Sequence, residues 1–170
     1  VGMWIGIWSL LGVGTAADLF ERWPEHTERD GFGSTYGIAV GDVDGDGWID
    51  VVAPNAQRVW LNDAATGWVR VDVPDLTTAG WVQYGASFGD YDRDGLPDLS
   101  TEPRGDWAKL LHNDGGGVFH RLDEDHFPRT RATLSAETNG WLDVDGDGWI
   151  DLFVPAYYDE SGLWMNLGPD

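Results

Sequence analysis

The feature that most constrains the fold of this 170-residue chain is a nine-residue aspartate motif that occurs three times. The copies are residues 42–50 (DVDGDGWID), 90–98 (DYDRDGLPD) and 143–151 (DVDGDGWID). Each copy has aspartate at positions 1, 3, 5 and 9 and glycine at position 6. Because the spacing between copies is nearly constant, the sequence predicts three structural repeats.

The alternating aspartates of each copy direct carboxylates toward one point of a tight turn, and the glycine permits the turn. Four carboxylates, the backbone carbonyl at position 7 and water supply the six to eight oxygens that Ca²⁺ takes, whereas Mg²⁺ demands a stricter octahedron. An EF-hand is excluded because position 12 is Ala53, Thr101 or Val154 and not glutamate. The sequence therefore predicts about three Ca²⁺ ions per chain. The predicted ligands are the carboxylates of Asp42, Asp44, Asp46, Asp50, Asp90, Asp92, Asp94, Asp98, Asp143, Asp145, Asp147 and Asp151 and the carbonyls of Trp48, Leu96 and Trp149.

The composition agrees with a metal-rich extracellular domain. The chain has 30 acidic and 10 basic residues, for a net charge of −20, and the three motifs hold twelve of the acidic residues. This acidity argues against nucleic acid or an anionic membrane as a partner. The absence of cysteine excludes disulfides, thiolate metal sites and cysteine catalysis, so bound metal would have to stabilise a secreted form.

The residues between the motifs predict an all-β fold. Short β-branched and aromatic runs alternate with Gly, Asn, Asp and Pro, which indicates strands and hairpins. Four strands in about 50 residues is the period of a β-propeller blade. We therefore expect blades of four antiparallel strands in three repeats, at about 33–76, 81–125 and 134–170, within a repeat region that spans 24–170.

The third repeat has no sequence for a fourth strand, and residues 18–23 (DLFERW) have the pattern of the missing one. This strand would complete the third blade in cis or in trans; three blades are too few for an ordinary closed propeller, which favours trans. Residues 3–14 are apolar and precede Thr15-Ala16-Ala17, as at the end of a secretory signal. Residues 1–17 are therefore either a signal remnant or an assembly arm, and residues 1–23 as a whole form an apolar N-terminal segment plus the candidate donor strand.

Three stretches carry a family resemblance. Residues 39–47 (AVGDVDGDG) and 87–95 (SFGDYDRDG), together with 112–117 (HNDGGG), resemble the FG-GAP (VCBS-type) repeats of integrin α-subunit propellers and of many secreted bacterial proteins. The resemblance covers about residues 33–170. It implies propeller-type blades with Ca²⁺ in the loop between the first two strands of each blade. Leu142 replaces the glycine that precedes the first two motifs, and we expect it to weaken the geometry of the third turn.

Other candidate residues give weaker signals. The sequence has no nucleophile elbow, P-loop or metal-binding histidine pair, so we predict no enzyme; a carboxylate pair acting on glycans is the remaining enzymatic alternative. Trp81 and Trp107 lie outside the repeat pattern and are candidates for sugar stacking. The tripeptide 104–106 (RGD) suggests integrin adhesion but is better interpreted as a chance turn. The four histidines are interpreted as surface or turn residues: His26, His112, His120 and His126.

Two functional hypotheses follow. The first is an extracellular or cell-surface structural protein, stabilised by Ca²⁺, that assembles with copies of itself through its N-terminal segment into an oligomer, helical polymer or fibre. The alternative is a lectin-like or adhesive module of a larger secreted propeller protein, with a glycan as ligand. Neither hypothesis includes a membrane span.

Overall fold

Eleven β-strands make up half of the residues that the structure describes. The structure is a computed structural model, and it describes residues 35–63, 67–76, 83–103, 108–123, 136, 138–156 and 160–169. All of these residues belong to one compact unit, 32–170. The described residues contain no α-helix and only two short 3₁₀ helices, Pro54–Ala56 and Pro74–Leu76.

The first sheet is an antiparallel meander in which each strand pairs with the next one in the chain. Its strands are β1 Ala39–Gly41, β2 Asp50–Ala53, β3 Arg58–Asp63 and β4 Gly67–Asp72. Ala39 pairs with Val52, and Val52 with Val59, so these apolar residues share one face of the sheet.

The second sheet repeats this topology. Its strands are β5 Gln83–Gly89, β6 Asp98–Pro103, β7 Lys109–Gly115 and β8 Val118–Arg121. Phe88 pairs with Leu99, and Leu99 with Leu111. The register shifts between Gln83 and Gly85 and again between Asn113 and Gly115, where glycine-rich sequence accommodates a bulge.

The third sheet has three strands within the described residues. They are β9 Gly140–Leu142, β10 Asp151–Val154 and β11 Gly162–Trp164, in the order β11-β10-β9. Leu152 pairs with both Trp141 and Trp164. An isolated bridge between Ala136 and Ala156 adds one further antiparallel contact.

Two apolar cores lie between neighbouring sheets. The first core joins Val52 and Val59 of the first sheet to Leu99 and Leu111 of the second, and all four are fully buried. The second core joins Leu110 of the second sheet to residues of the third, such as Leu152 and Val154. Each core thus buries a face of one sheet against its sequence neighbour, which is how a repeat that cannot form a core alone becomes stable.

The all-β class and the antiparallel strand pairing are confirmed, and the first two sheets have the predicted four strands. Closure into a propeller and the number of blades stay predictions, as do the repeat boundaries. The predicted donor strand 18–23, and the whole segment 1–23, lie outside the described residues.

Candidate metal centres

Each aspartate motif forms the loop between the first two strands of a sheet. The first loop (42–50) connects β1 to β2, the second loop (90–98) connects β5 to β6, and the third loop (143–151) connects β9 to β10. The glycine at position 6 has a φ of 90°, 93° and 92° at Gly47, Gly95 and Gly148. The predicted need for glycine at this turn is therefore confirmed, because a side chain is disfavoured in this region.

Side-chain-to-backbone hydrogen bonds hold the first loop in shape. Asp42 Oδ2 accepts the Gly47 N–H at 2.9 Å, Asp44 Oδ1 accepts the Asp46 N–H at 3.2 Å, and Asp46 Oδ1 accepts the Trp48 N–H at 2.8 Å. Such short local bonds let an aspartate replace the backbone partner that a tight turn lacks. The same three bonds recur at the corresponding positions of the second and third loops.

The aspartate at position 9 ties the loop to the sheet. Asp50 is fully buried; its Oδ2 accepts the Val43 N–H and its Oδ1 accepts the Asn62 N–H from β3, both at 2.7 Å. Asp98 and Asp151 make the corresponding pairs of bonds. Each carboxylate oxygen keeps a second lone pair, so both can also face a cation.

In every loop, carboxylate oxygens of positions 1, 3 and 9 lie within 4.8 Å of one another. In the first two loops, the Oδ1 atoms of Asp42 and Asp90 are buried and have no hydrogen-bond partner. A buried, unpaired carboxylate oxygen beside two other carboxylates is costly unless a cation compensates it. The all-oxygen donor set suits a hard divalent cation such as Ca²⁺. The three groups are Asp42, Asp44 and Asp50; Asp90, Asp92 and Asp98; and Asp143, Asp145 and Asp151.

Electrostatics at position 9 agree with a cation site. Burial raises the pKa of Asp50, and the nearby carboxylates of Asp44 and Asp46 raise it further. Burial likewise raises the pKa of Asp98 to about 6, against the lowering effect of its backbone hydrogen bonds. A bound cation would favour the ionised form of both groups and offset this cost.

Positions 5 and 7 do not fall in these groups of three. Asp46 and Asp147 accept N–H bonds from position 7, whereas Asp94 also approaches Asp92 and His112 in a fourth group. Coordination through position 5 and through the position 7 carbonyls therefore stays a prediction.

The third loop differs from the other two at position 1. Asp143 is exposed, and its Oδ1 accepts the Gly146 N–H at 2.8 Å, a bond that the first two loops do not show among the described contacts. Otherwise the third turn keeps the hydrogen bonds of the other two despite Leu142. The glycines before the first two motifs, Gly41 and Gly89, do not have positive φ.

The glycines at these two positions serve packing between sheets. A Cβ on Gly41 would lie 3.0 Å from Phe88, and a Cβ on Gly89 would lie 2.5 Å from Trp141. Each glycine therefore makes room for an aromatic ring of the following sheet. The expectation that Leu142 weakens the third turn is accordingly replaced by a packing explanation.

An asparagine from each following sheet holds the preceding loop. Asn113 Nδ2 donates to the carbonyl of Val43 at 2.8 Å, and Asn166 Nδ2 donates to the carbonyl of Tyr91 at 2.7 Å. Both acceptors are at position 2 of a motif loop. The metal loops are thereby part of the contact between sheets, so a cation that rigidifies a loop would also rigidify that contact.

His112 is the functional candidate that the sequence pattern missed. Its Nδ1 is buried without a hydrogen bond and lies 3.2 Å from Asp92 Oδ2 and 3.2 Å from Asp98 Oδ1. His120 also lies nearby, with its Nδ1 2.7 Å from Asp114 Oδ2. The interpretation of the four histidines as surface or turn residues therefore fails for His112. The sequence did contain a signal for it: His112 directly precedes Asn113, one of the three asparagines that recur at a similar distance after the motifs.

Several other sequence candidates lie outside the described residues: His26, Trp81, Arg104, Gly105, Asp106, Trp107 and His126. No helix among the residues with described structure is long and apolar enough to cross a membrane.

Comparison with known protein families gives one match. Residues 42–101, just over a third of the chain, match the family described as the FG-GAP-like repeat. The matched region begins at the first loop and ends three residues beyond the second, so it contains two of the three acidic clusters. No curated protein matches the chain.

Proposed function

We propose that this FG-GAP-type repeat protein is an extracellular structural module, stabilised by Ca²⁺, that assembles with copies of itself. One observation carries the proposal: apolar side chains of the third sheet are exposed at positions whose equivalents in the first sheet are buried against the second sheet. Val52 and Val59 are fully buried under the second sheet, whereas the equivalent Phe153 and Leu163 are 41% and 45% exposed.

The exposed face of the third sheet is equivalent to the faces by which the first sheet contacts the second and the second sheet contacts the third. Met165, equivalent to the partly buried Leu61, is 40% exposed on the same face, and the neighbouring Leu142 is 46% exposed. A repeat stack usually ends in a polar face, because an apolar one promotes association. The apolar side chains of this face thus support another sheet of the same type as its occupant.

The occupant that we propose is the first sheet of a second copy. In the second sheet, Leu99, Leu111 and Asn113 face the preceding sheet, and their equivalents in the first sheet are Val51, Trp60 and Asn62. Trp60 is already buried within the chain, so the docking surface of the first sheet would be formed by the half-buried Val51 and Asn62. A first sheet docked on the third sheet of another copy would place Asn62 to donate to the carbonyl of Val144, as Asn113 does to that of Val43. This head-to-tail contact gives a ring if its rotation closes and a filament if it does not.

The edge of the third sheet offers a second contact. Among the described strands, β11 pairs only with β10, whereas the equivalent β3 and β7 each pair on both sides. Residues 18–23 of another copy could add as the fourth strand by main-chain hydrogen bonding. Deletion of residues 1–23 is then expected to leave a folded chain that assembles less; unchanged assembly would remove the donor strand from the proposal.

Ca²⁺ binding would explain both the stabilisation and the extracellular location that we propose. Ca²⁺ in the loops would neutralise the carboxylate clusters of a chain whose net charge is −20. FG-GAP repeats are typically extracellular, where Ca²⁺ is abundant enough to fill sites of modest affinity. The proposal includes no catalytic activity.

The test is analytical ultracentrifugation of the full chain in millimolar Ca²⁺. The double variant Phe153→Ser/Leu163→Ser removes apolar contact area from the exposed face and is expected to weaken self-association at least about tenfold, because each buried side chain contributes about 1.5–3 kcal/mol. Val118→Ser is the matched control, since Val118 is 53% exposed on β8, the outermost strand of the second sheet.

Assembly of the wild type and the control, with loss in the double variant, would support the proposal. A wild-type chain that stays monomeric at all accessible concentrations in Ca²⁺ would contradict it. Equal assembly of all three proteins would rule out this face as the contact.

A further inference from the structure

The second loop is chemically different from the other two because a histidine faces it. His112 precedes Asn113, whose N–H bonds to Asp98, just as Leu61 precedes Asn62 and Met165 precedes Asn166. Only the second sheet therefore places a nitrogen ligand at this position. We propose that the second loop is a site for a borderline transition-metal ion, with Zn²⁺ as the reference, held by His112, Asp92 and Asp94.

The ligand atoms are already close together. One ligand atom each from Asp92, Asp94 and His112 lies within 4.8 Å of the others. The Nδ1 atom of His112 is buried, makes no hydrogen bond and lies 3.2 Å from both Asp92 Oδ2 and Asp98 Oδ1. A buried ring nitrogen without a hydrogen bond, aimed at carboxylate oxygens, is arranged as a metal ligand would be.

The other ring nitrogen of His112 lies near a carboxylate, although beyond hydrogen-bond distance. Its Nε2 faces Asp114 Oδ1 at 3.8 Å, and Asp114 Oδ2 in turn lies 2.7 Å from His120 Nδ1. Metal-binding histidines commonly present their second N–H to a carboxylate, which fixes the ring and makes the ligating nitrogen more basic. Asp114 is the carboxylate nearest to Nε2 among the described contacts, and it would have to approach Nε2 to fill this positioning role.

The donor set decides between metals. Imidazole together with carboxylates suits Zn²⁺ and similar ions, whereas Ca²⁺ takes oxygen ligands. Asp92 belongs both to this group and to the all-oxygen group with Asp90 and Asp98. Zn²⁺ and Ca²⁺ are therefore expected to compete at the second loop, while the first and third loops remain Ca²⁺ sites. This inference rests on the proposed cation binding by the second loop.

The experiment is a calorimetric Zn²⁺ titration of the metal-stripped full chain in millimolar Ca²⁺. His112→Leu copies Leu61 of the first sheet, and His112→Met copies Met165 of the third, so both residues occur naturally at this position. We expect the wild type to bind one Zn²⁺ at this loop and both variants to lose at least about tenfold in affinity. Asp72→Asn, at an exposed carboxylate of β4 outside the loops, is expected to stay within a few-fold of the wild type.

X-ray absorption of the 1:1 Zn²⁺ complex gives an independent result. An imidazole nitrogen at about 2.0 Å is expected for the wild type and not for His112→Leu. Equal Zn²⁺ affinity of the wild type and both His112 variants would overturn the inference and leave His112 as an ion-pair partner of the loop. A separate Ca²⁺ titration of the same proteins tests the proposed function: a wild type that binds no Ca²⁺ would contradict that proposal, whatever Zn²⁺ does.

Discussion

The aspartate at position 9 of each loop combines a structural and a metal-binding role in one side chain. In the first loop, both oxygens of Asp50 accept backbone N–H bonds, one from the loop and one from β3. Asp46, in contrast, accepts a single bond, from Trp48, and is exposed. The two carboxylates can therefore be separated by mutation.

Asp50→Asn is expected to destabilise the protein even without metal, whereas Asp46→Asn is not. An amide has one acceptor oxygen, so the side chain introduced at position 50 would leave one buried N–H facing its NH₂ group, at a cost of about 1–3 kcal/mol. The amide oxygen introduced at position 46 can still accept the Trp48 N–H. Urea unfolding in excess chelator measures the difference. Equal stability of the two variants would contradict the structural role of Asp50.

Glu102 is a buried acid outside the metal loops. It is fully buried, and burial raises its pKa to about 7 from an ordinary 4.5. Its Oε1 accepts hydrogen bonds from Ser100 Oγ at 3.0 Å and Asn139 Nδ2 at 2.5 Å, while its Oε2 has no partner. The folded state therefore holds the proton more tightly than the unfolded state does.

This raised pKa predicts a pH dependence with a definite sign. The contribution of Glu102 to the free energy of unfolding is greatest below pH 4.5. It decreases by about 3 kcal/mol in total as the pH rises to about 7. Glu102→Gln cannot ionise, so its stability relative to the wild type is expected to increase between pH 5 and pH 8. Chemical unfolding of both proteins in saturating Ca²⁺ measures this difference; a difference independent of pH would contradict the shift.

At the scale of secondary-structure elements, close packing between sheets depends on small residues beside the loops. Gly89 ends β5, and a Cβ there would overlap the ring of Trp141 in β9, at 2.5–2.8 Å from its atoms. Gly140 lies next to Trp141, and a Cβ on it would meet nothing within 4 Å. Neither glycine has positive φ, so backbone strain does not confuse the comparison.

Gly89→Ala is expected to destabilise the protein by about 1–3 kcal/mol, because the ring must move out of a packed contact. Gly140→Ala is the matched control and should change the free energy of unfolding by less than about 1 kcal/mol. Thermal unfolding in Ca²⁺ compares the two. A Gly89→Ala variant as stable as the control would show that the second and third sheets are not packed as described.

The sequence predicted the loops because their chemistry is local. The spacing of Asp42, Asp44 and Gly47 already specifies a turn with inward carboxylates, whatever the rest of the chain does. His112 was missed because its approach to Asp92 depends on the pairing of β6 with β7, a contact distant in sequence. The role of Gly89 was missed for the same reason, since its partner Trp141 belongs to another repeat.

For the molecule as a whole, repetition made the architecture predictable from a single chain. The interval between motifs indicated the number of sheets, and the hydrophobic runs indicated strands. The burial of Glu102 against Asn139 could not be predicted, because it requires the register of β6 and the approach of the third sheet. The apolar face that includes Leu163 also became visible only when equivalent positions were compared in space.

The most direct test of this account is thermal unfolding of the full chain in chelator and at increasing Ca²⁺ concentration, with Mg²⁺ as the control cation. Ca²⁺ that binds only the folded state stabilises it by about 2.7 kcal/mol per site at a hundred times the dissociation constant. Three sites are expected to raise the melting temperature by more than about 10 °C, and Mg²⁺ by much less. An unfolding temperature that is the same in chelator and in millimolar Ca²⁺ would contradict the assignment of the aspartate loops as calcium sites.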